Sequence, residues 1–279
     1  MKKNILIVTL ILSAFLIELS SCKRDYTLLD PVQTTQGTSY LAIIDAAPNF
    51  SSIFGKPDSF NVFINGEKIT GFAPGAKPQY MTFGATFPST TTGFGYIAVP
   101  PGAQQIKLSV TGVNNADSIP IVTFNKTFVA NQRYTFMITD NIKSSQDSSQ
   151  IFVRDVYTFP PTTGYYNLRF IDAVVNDTAA VDFYSYAKNK AIYSNIPPDS
   201  FTSFTQIGIN AQTTDTLYVT RYDHAADLAK VPLSGRTILA KMAFQAGNQK
   251  SYTIYFKGDF NVTSTSNSKY RSLSFYRHE

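Results

Sequence analysis

From Ser39 onward, short runs rich in Val, Ile, Phe, Tyr and Thr alternate apolar with polar positions and break at clusters of Gly, Pro, Asn and Asp. A period of two interrupted by turn-formers is the pattern of half-buried strands. In "FNVFING", Phe60, Val62 and Ile64 fall on one face and Asn61, Phe63 and Asn65 on the other. Asn65-Gly66 then supplies the positive-φ residues that a tight hairpin needs. In "QQIKLSVTG", Ile106, Leu108 and Val110 alternate with Lys107 and Ser109, again a strand with one buried face. Sustained helical periodicity is missing. The nearest approach, "DHAADLAK" (223–230), predicts a loop with room for roughly two turns.

The pattern occurs twice. "YLAIIDAAPN" (40–49) is echoed by "YNLRFIDAVVN" (166–176), which sets Asp45 against Asp172, 127 residues later. "SFNVFING" (59–66) matches "AVDFYSYA" (180–187), and "VANQRYTFMI" (129–138) matches "FQAGNQKSYTIYF" (244–256). "QIFVRDVY" (150–157) and "YRSLSFYR" (270–277) each supply a last strand. Between the copies, "TFPPTTG" (158–164) reads as a stiff linker. The expected organisation is a first β-sandwich at 38–157, a Pro-rich linker at 158–164 and a second β-sandwich at 165–279. Each copy, at about 115 to 120 residues, is long enough to fold alone. About seven or eight strands per copy suit an immunoglobulin-like antiparallel sandwich. The chain has no Trp and no second Cys, so it lacks the marks of true immunoglobulin domains. The fold class is therefore all-β, two tandem sandwiches after an N-terminal signal peptide.

That signal is "MKKNILIVTLILSAFLIELSS" (1–21), where Lys2 and Lys3 precede an apolar run from Ile5 to Ile17. The run has signal-peptide length and is too short to span a bilayer as a helix. Leu19, Ser20 and Ser21 then lead into Cys22, an order that resembles a bacterial lipobox. It implies lipidation of the Cys22 sulfur and membrane attachment in the cell envelope, with the outer membrane expected. Residues 22–37 read as the lipidated cysteine and a tether, rich in turn-formers.

Composition narrows the chemistry. The 279 residues carry a net charge of +5, and their basic residues are scattered, so nucleic acid is not an expected partner. A single Cys rules out disulfides and cysteine-based metal sites. Only His224 and His278 are available to a catalytic triad or a zinc site. His278, the penultimate residue, is expected to fray, and His224 to sit in a solvated loop. Asp45 and Asp172 are a pair of carboxylates of the kind a glycosidase needs, yet one per copy fits better with closing the same turn twice. Oxygen-rich "Asn114-Asn115-Ala116-Asp117" and "Asn176-Asp177-Thr178" leave a loop calcium site open. Neither catalytic nor metal residues, and no cofactor, are therefore assigned. Tyr165, Tyr166, Tyr184 and Tyr186 are the candidate ligand-facing aromatics, able to stack on sugar rings or to anchor an interface.

With "IIDAAPN" (43–49), "FNVFING" (60–66), "VPPGAQQIKL" (99–108) and "VANQRYTFMI" (129–138), each copy resembles the domain-of-unknown-function 4397 family of Bacteroidota lipoproteins. The second copy departs from it at Val175, where the turn proline would stand, and at Tyr186-Ala187, in place of Asn-Gly. The resemblance implies a β-sandwich and export, and no established activity. The expected function is non-enzymatic: two modules outside the membrane that bind or adhere, with carbohydrate the first candidate. The alternatives are a structural partner that pairs with envelope proteins through sheet edges and, more distantly, a hydrolase.

Overall fold

The computed structural model describes residues 37–54, 59–70, 80–88, 95–110, 119–141, 150–209, 214–221 and 233–278. The signal segment, Cys22, almost all of the tether, the Asn114–Asp117 loop, the 223–230 segment and His224 lie outside the described residues. No helix among the described residues is long and apolar enough to cross a membrane.

The first half runs β1 (Ser39–Asp45), a short helix α1 (Phe50–Phe54), β2 (Ser59–Ile64), β3 (Glu67–Lys68), β4 (Met81–Thr82), β5 (Thr86–Phe87), β6 (Ile97–Val99), β7 (Gly102–Val110), β8 (Ile119–Phe128), β9 (Arg133–Ile138) and β10 (Ile151–Arg154). One sheet has the order β10-β9-β1-β5, with β6 also on β1, and the other has β3-β2-β7-β8, with β4 also on β2. Asn65 (φ 49) and Gly66 (φ 81) make the turn into β3, where Ile64 faces Glu67, as the Asn-Gly pair predicts.

The second half runs β11 (Tyr165–Asp172), β12 (Val181–Ser185), β13 (Lys190–Ile196), β14 (Ser200–Phe201), β15 (Thr205–Gly208), β16 (Asp215–Arg221), β17 (Ile238–Phe244), β18 (Ser251–Lys257) and β19 (Ser272–Arg277). Its sheets are β14-β11-β18-β19, with β15 also on β11, and β13-β12-β16-β17. In each half the first strand pairs in parallel with a late one: β1 with β9, and β11 with β18. The other strand ladders among the described residues are antiparallel.

Each half encloses its own core between its two sheets. Leu41, Ile43, Val62, Leu108, Phe124 and Phe136 belong to the first, and Leu168, Phe170, Phe183, Leu217, Val219 and Ile254 to the second. A third cluster lies between the halves. Tyr40, Ala42, Ile44 and Met137 of the first half pack with Ile171, Ala173, Tyr255 and Tyr276 of the second. Strands β1 and β9 therefore bury both faces, Leu41 and Ile43 inward and Ala42 and Ile44 toward the other half. This is why β1 reads as a nearly unbroken apolar run while most other strands alternate. The 158–164 segment is held against the second half, where Asn167 donates to the Thr158 carbonyl (2.8 Å) and Gln249 to that of Pro160 (3.1 Å).

Candidate functional site

The four candidate tyrosines separate by exposure. Tyr165 is 43% exposed and Tyr186 64%, while Tyr166 is 4% exposed and Tyr184 not at all. The expectation that all four face a ligand is thus corrected for Tyr166 and Tyr184. Strand alternation sends Tyr166 to the face opposite Tyr165, into the second core against Phe244 and Tyr252. Tyr184 shares its side of β12 with Tyr186, but the Arg236 guanidinium lies 5.3 Å from its ring centre and covers it.

Tyr186 stands on a braced loop. With no Asn-Gly at this hairpin, the chain closes β12 to β13 through the four residues 186–189, Ser185 facing Lys190. Asn189 takes the positive φ (50°) that glycine would otherwise provide, and its Oδ1 accepts a bond from the Tyr184 hydroxyl (2.6 Å). The Ala187 N–H donates to Asp215 Oδ1 (2.9 Å), and the Ser185 hydroxyl donates to Asp215 Oδ2. Lys188 reaches across with its Nζ to the Gly208 carbonyl (2.9 Å). Gly208 is the ladder partner of Tyr165, so Tyr165 and Tyr186 emerge at the same end of the second half. Tyr218 follows on the outer face, its ring 6.5 Å from that of Tyr186. It sits between Tyr184 on one neighbouring strand and Lys241 on the other. Tyr218 and Lys241 escape a reading of the sequence because they become neighbours of Tyr186 only through strand pairing.

A second constellation is buried between the halves, and the sequence does not announce it. Arg169, 1% exposed, points from β11 into the interface and pairs with Asp155 of the first half at 2.5 Å. Its guanidinium also donates to Thr135 (3.0 Å) and to Thr253 (2.7 and 3.1 Å). The Thr253 hydroxyl lies 2.7 Å from His278 Nε2, and His278 Nδ1 lies 2.6 Å from the Tyr96 hydroxyl. Tyr96 donates in turn to Asp155 Oδ2 (3.0 Å). The Thr253 oxygen already accepts from Arg169, so its single proton goes to Nε2. His278 is then neutral with its proton on Nδ1, and a closed ring runs from Arg169 through Thr253, His278 and Tyr96 to Asp155. Burial, reinforced by Arg169 and Arg133 and opposed by Asp155, lowers the His278 pKa to about 3. His278 is wholly buried, not frayed: its place in the interface fixes the end of the chain. The ring is buried and ties the two halves together.

Asp45 and Asp172 do close matching turns. Each Oδ1 accepts from the backbone N–H two residues on, that of Ala47 and of Val174, both at 3.0 Å. Burial raises the Asp172 pKa well above the ordinary carboxylate value. The two carboxylates serve separate turns, one in each half. Asn176 Oδ1 accepts from the Phe260 N–H (2.9 Å), and the Asp177 carboxylate takes Arg221 (2.7 Å), so these side-chain oxygens of the candidate calcium loop are engaged within the fold. Asn49 donates to both Asp140 (2.9 Å) and Asp259 (2.8 Å), a second polar tie between the halves. Among the described residues no group of three or more His, Cys, Asp or Glu side chains is arranged to hold a metal ion.

No protein-family model matches the chain, and no curated protein matches it. Among solved structures it is similar to a leucine-rich repeat protein from Bacteroides thetaiotaomicron VPI-5482, at 10% identity and a TM-score of 0.20. That similarity covers 81% of this chain and 26% of the other.

Proposed function

We propose that this protein is a non-enzymatic, lipid-anchored component of a bacterial cell envelope whose two β-sandwich modules, of the domain-of-unknown-function 4397 type, present a carbohydrate-binding surface. The observation that carries the reading is Tyr186. Its ring is left 64% exposed next to that of Tyr218, and the loop beneath it is fixed by hydrogen bonds to Asp215 and Ser185. A ring carried on a fixed loop has less backbone freedom to lose on binding, which suits stacking on the apolar face of a sugar. Tyr218, its ring 6.5 Å away, extends the platform, while Tyr165 emerges at the same end from the other sheet.

The strands and both cores lie within Ser39–Arg277, so a soluble chain from Asp25 to Glu279 keeps them all. Applied to a glycan array, that chain is expected to give discrete glycan signals. Tyr186→Ala and Tyr218→Ala should each weaken them about tenfold, the size of one lost stacking contact. Binding that survives both substitutions would reject this surface. Recovery of envelope proteins with an array that stays blank would favour the edge-pairing alternative.

A further inference from the structure

On the outer face of the β13-β12-β16-β17 sheet, cross-strand pairing sets the covered Tyr184, the half-buried Tyr218 and the exposed Lys241 side by side in one row. Directly paired residues hold their Cβ atoms about 4.5–5.5 Å apart, so the Lys241 stem lies beside the Tyr218 ring. Lys241 is exposed, and among the described residues it has no ion-pair partner. Two described carboxylates on this sheet are already committed. Asp182 is paired at 2.6 Å with Arg236, both side chains being at most 1% exposed. Asp215 holds Ser185 and Ala187 of the tyrosine loop. The face thus combines an aromatic platform with a cation that no described carboxylate pairs with.

Resting on the carbohydrate reading above, we infer that this surface selects acidic glycans, with Tyr186 and Tyr218 stacking on the sugar rings and Lys241 pairing with a uronic carboxylate. An aromatic platform by itself accepts neutral and acidic sugars alike, because stacking uses the C–H face of the ring. A lysine beside it adds a charge-assisted bond that a neutral sugar cannot return. Tyr186 therefore governs binding in general, while Lys241 governs the choice between glycans.

The test compares polygalacturonate with a neutral β-glucan, both titrated against the soluble chain from Asp25 to Glu279. The expected result is tighter binding of polygalacturonate, a preference that shrinks as sodium chloride is raised. Lys241→Gln should lower affinity for polygalacturonate about tenfold or more and leave that for the glucan unchanged, while Lys241→Arg keeps the preference. Tyr186→Ala should weaken both. Because Lys241 is at the surface, its variants are expected to melt with the parent, which separates loss of binding from loss of fold. Equal binding of the two polymers, or a preference indifferent to Lys241→Gln, overturns the acidic selection and leaves the carbohydrate reading standing. Failure to bind either polymer counts against both.

Discussion

His278 shows how far one side chain can depart from its place in the sequence. Next to the end of the chain it has every reason to be solvated, yet it closes a ring of hydrogen bonds between two halves. Its pKa, about 3 in the fold against an ordinary 6.5, gives a definite pH dependence. Between those values the unfolded chain takes up a proton that the folded chain refuses, so this contribution is present above pH 6.5 and is lost as the pH falls toward 3. One such group adds a slope of at most about 1.4 kcal/mol per pH unit. His278→Gln should be less stable than the parent at pH 7, and its melting temperature should fall less steeply on acidification. Melting curves from pH 7 to 4 test this: parallel slopes for the two proteins would mean that the buried neutral imidazole is misassigned. Asp172, whose pKa burial raises, acts in the opposite sense, so the comparison must be between parent and variant and not of the parent alone. At this scale the sequence was silent. Arg169, Asp155, Thr135, Thr253 and Tyr96 lie far apart along the chain, and nothing in their spacing marks them as neighbours.

Among the elements, strands and turns were the most legible. Phe60, Val62 and Ile64 face the first core as their alternation implies, and Asn65-Gly66 makes its hairpin. The repeat was also informative: β1 with β9 and β11 with β18 form the same parallel ladder in both halves. What alternation could not reveal is the second buried face of β1. Tyr40, Ala42 and Ile44 signal only that something apolar covers them, and the tertiary structure identifies the cover as β11, β18 and β19. The prediction at this scale is that docking of these sheets makes the halves unfold together. Calorimetry of the parent should show one transition. Ile44→Asp places a charge in the cluster at a cost on the order of several kcal/mol, and Tyr255→Ala removes a ring from the opposite side. Either substitution should lower the midpoint and resolve two transitions. A single transition unmoved by both would show that the halves fold independently of their contact.

For the molecule as a whole, the N-terminal pattern and the folded halves bear on different questions. The lipobox-like order before Cys22 predicts that cells fed a palmitate analogue will label the full chain, and that Cys22→Ala will abolish the label. Persistent label in that variant would locate the anchor elsewhere or remove it. The sequence by itself determined the all-β character, the doubling of the pattern and the turn chemistry, because those follow from local periodicity and from the φ preferences of single residues. The proposed export and lipidation likewise rest on a contiguous string of residues, which would act without any folding. Tertiary structure decided which tyrosines meet solvent, where the last histidine lies and which cation stands beside the exposed rings. Those outcomes depend on strand register and sheet docking. These bring together residues distant in the chain, and local sequence holds no record of the partners it will meet.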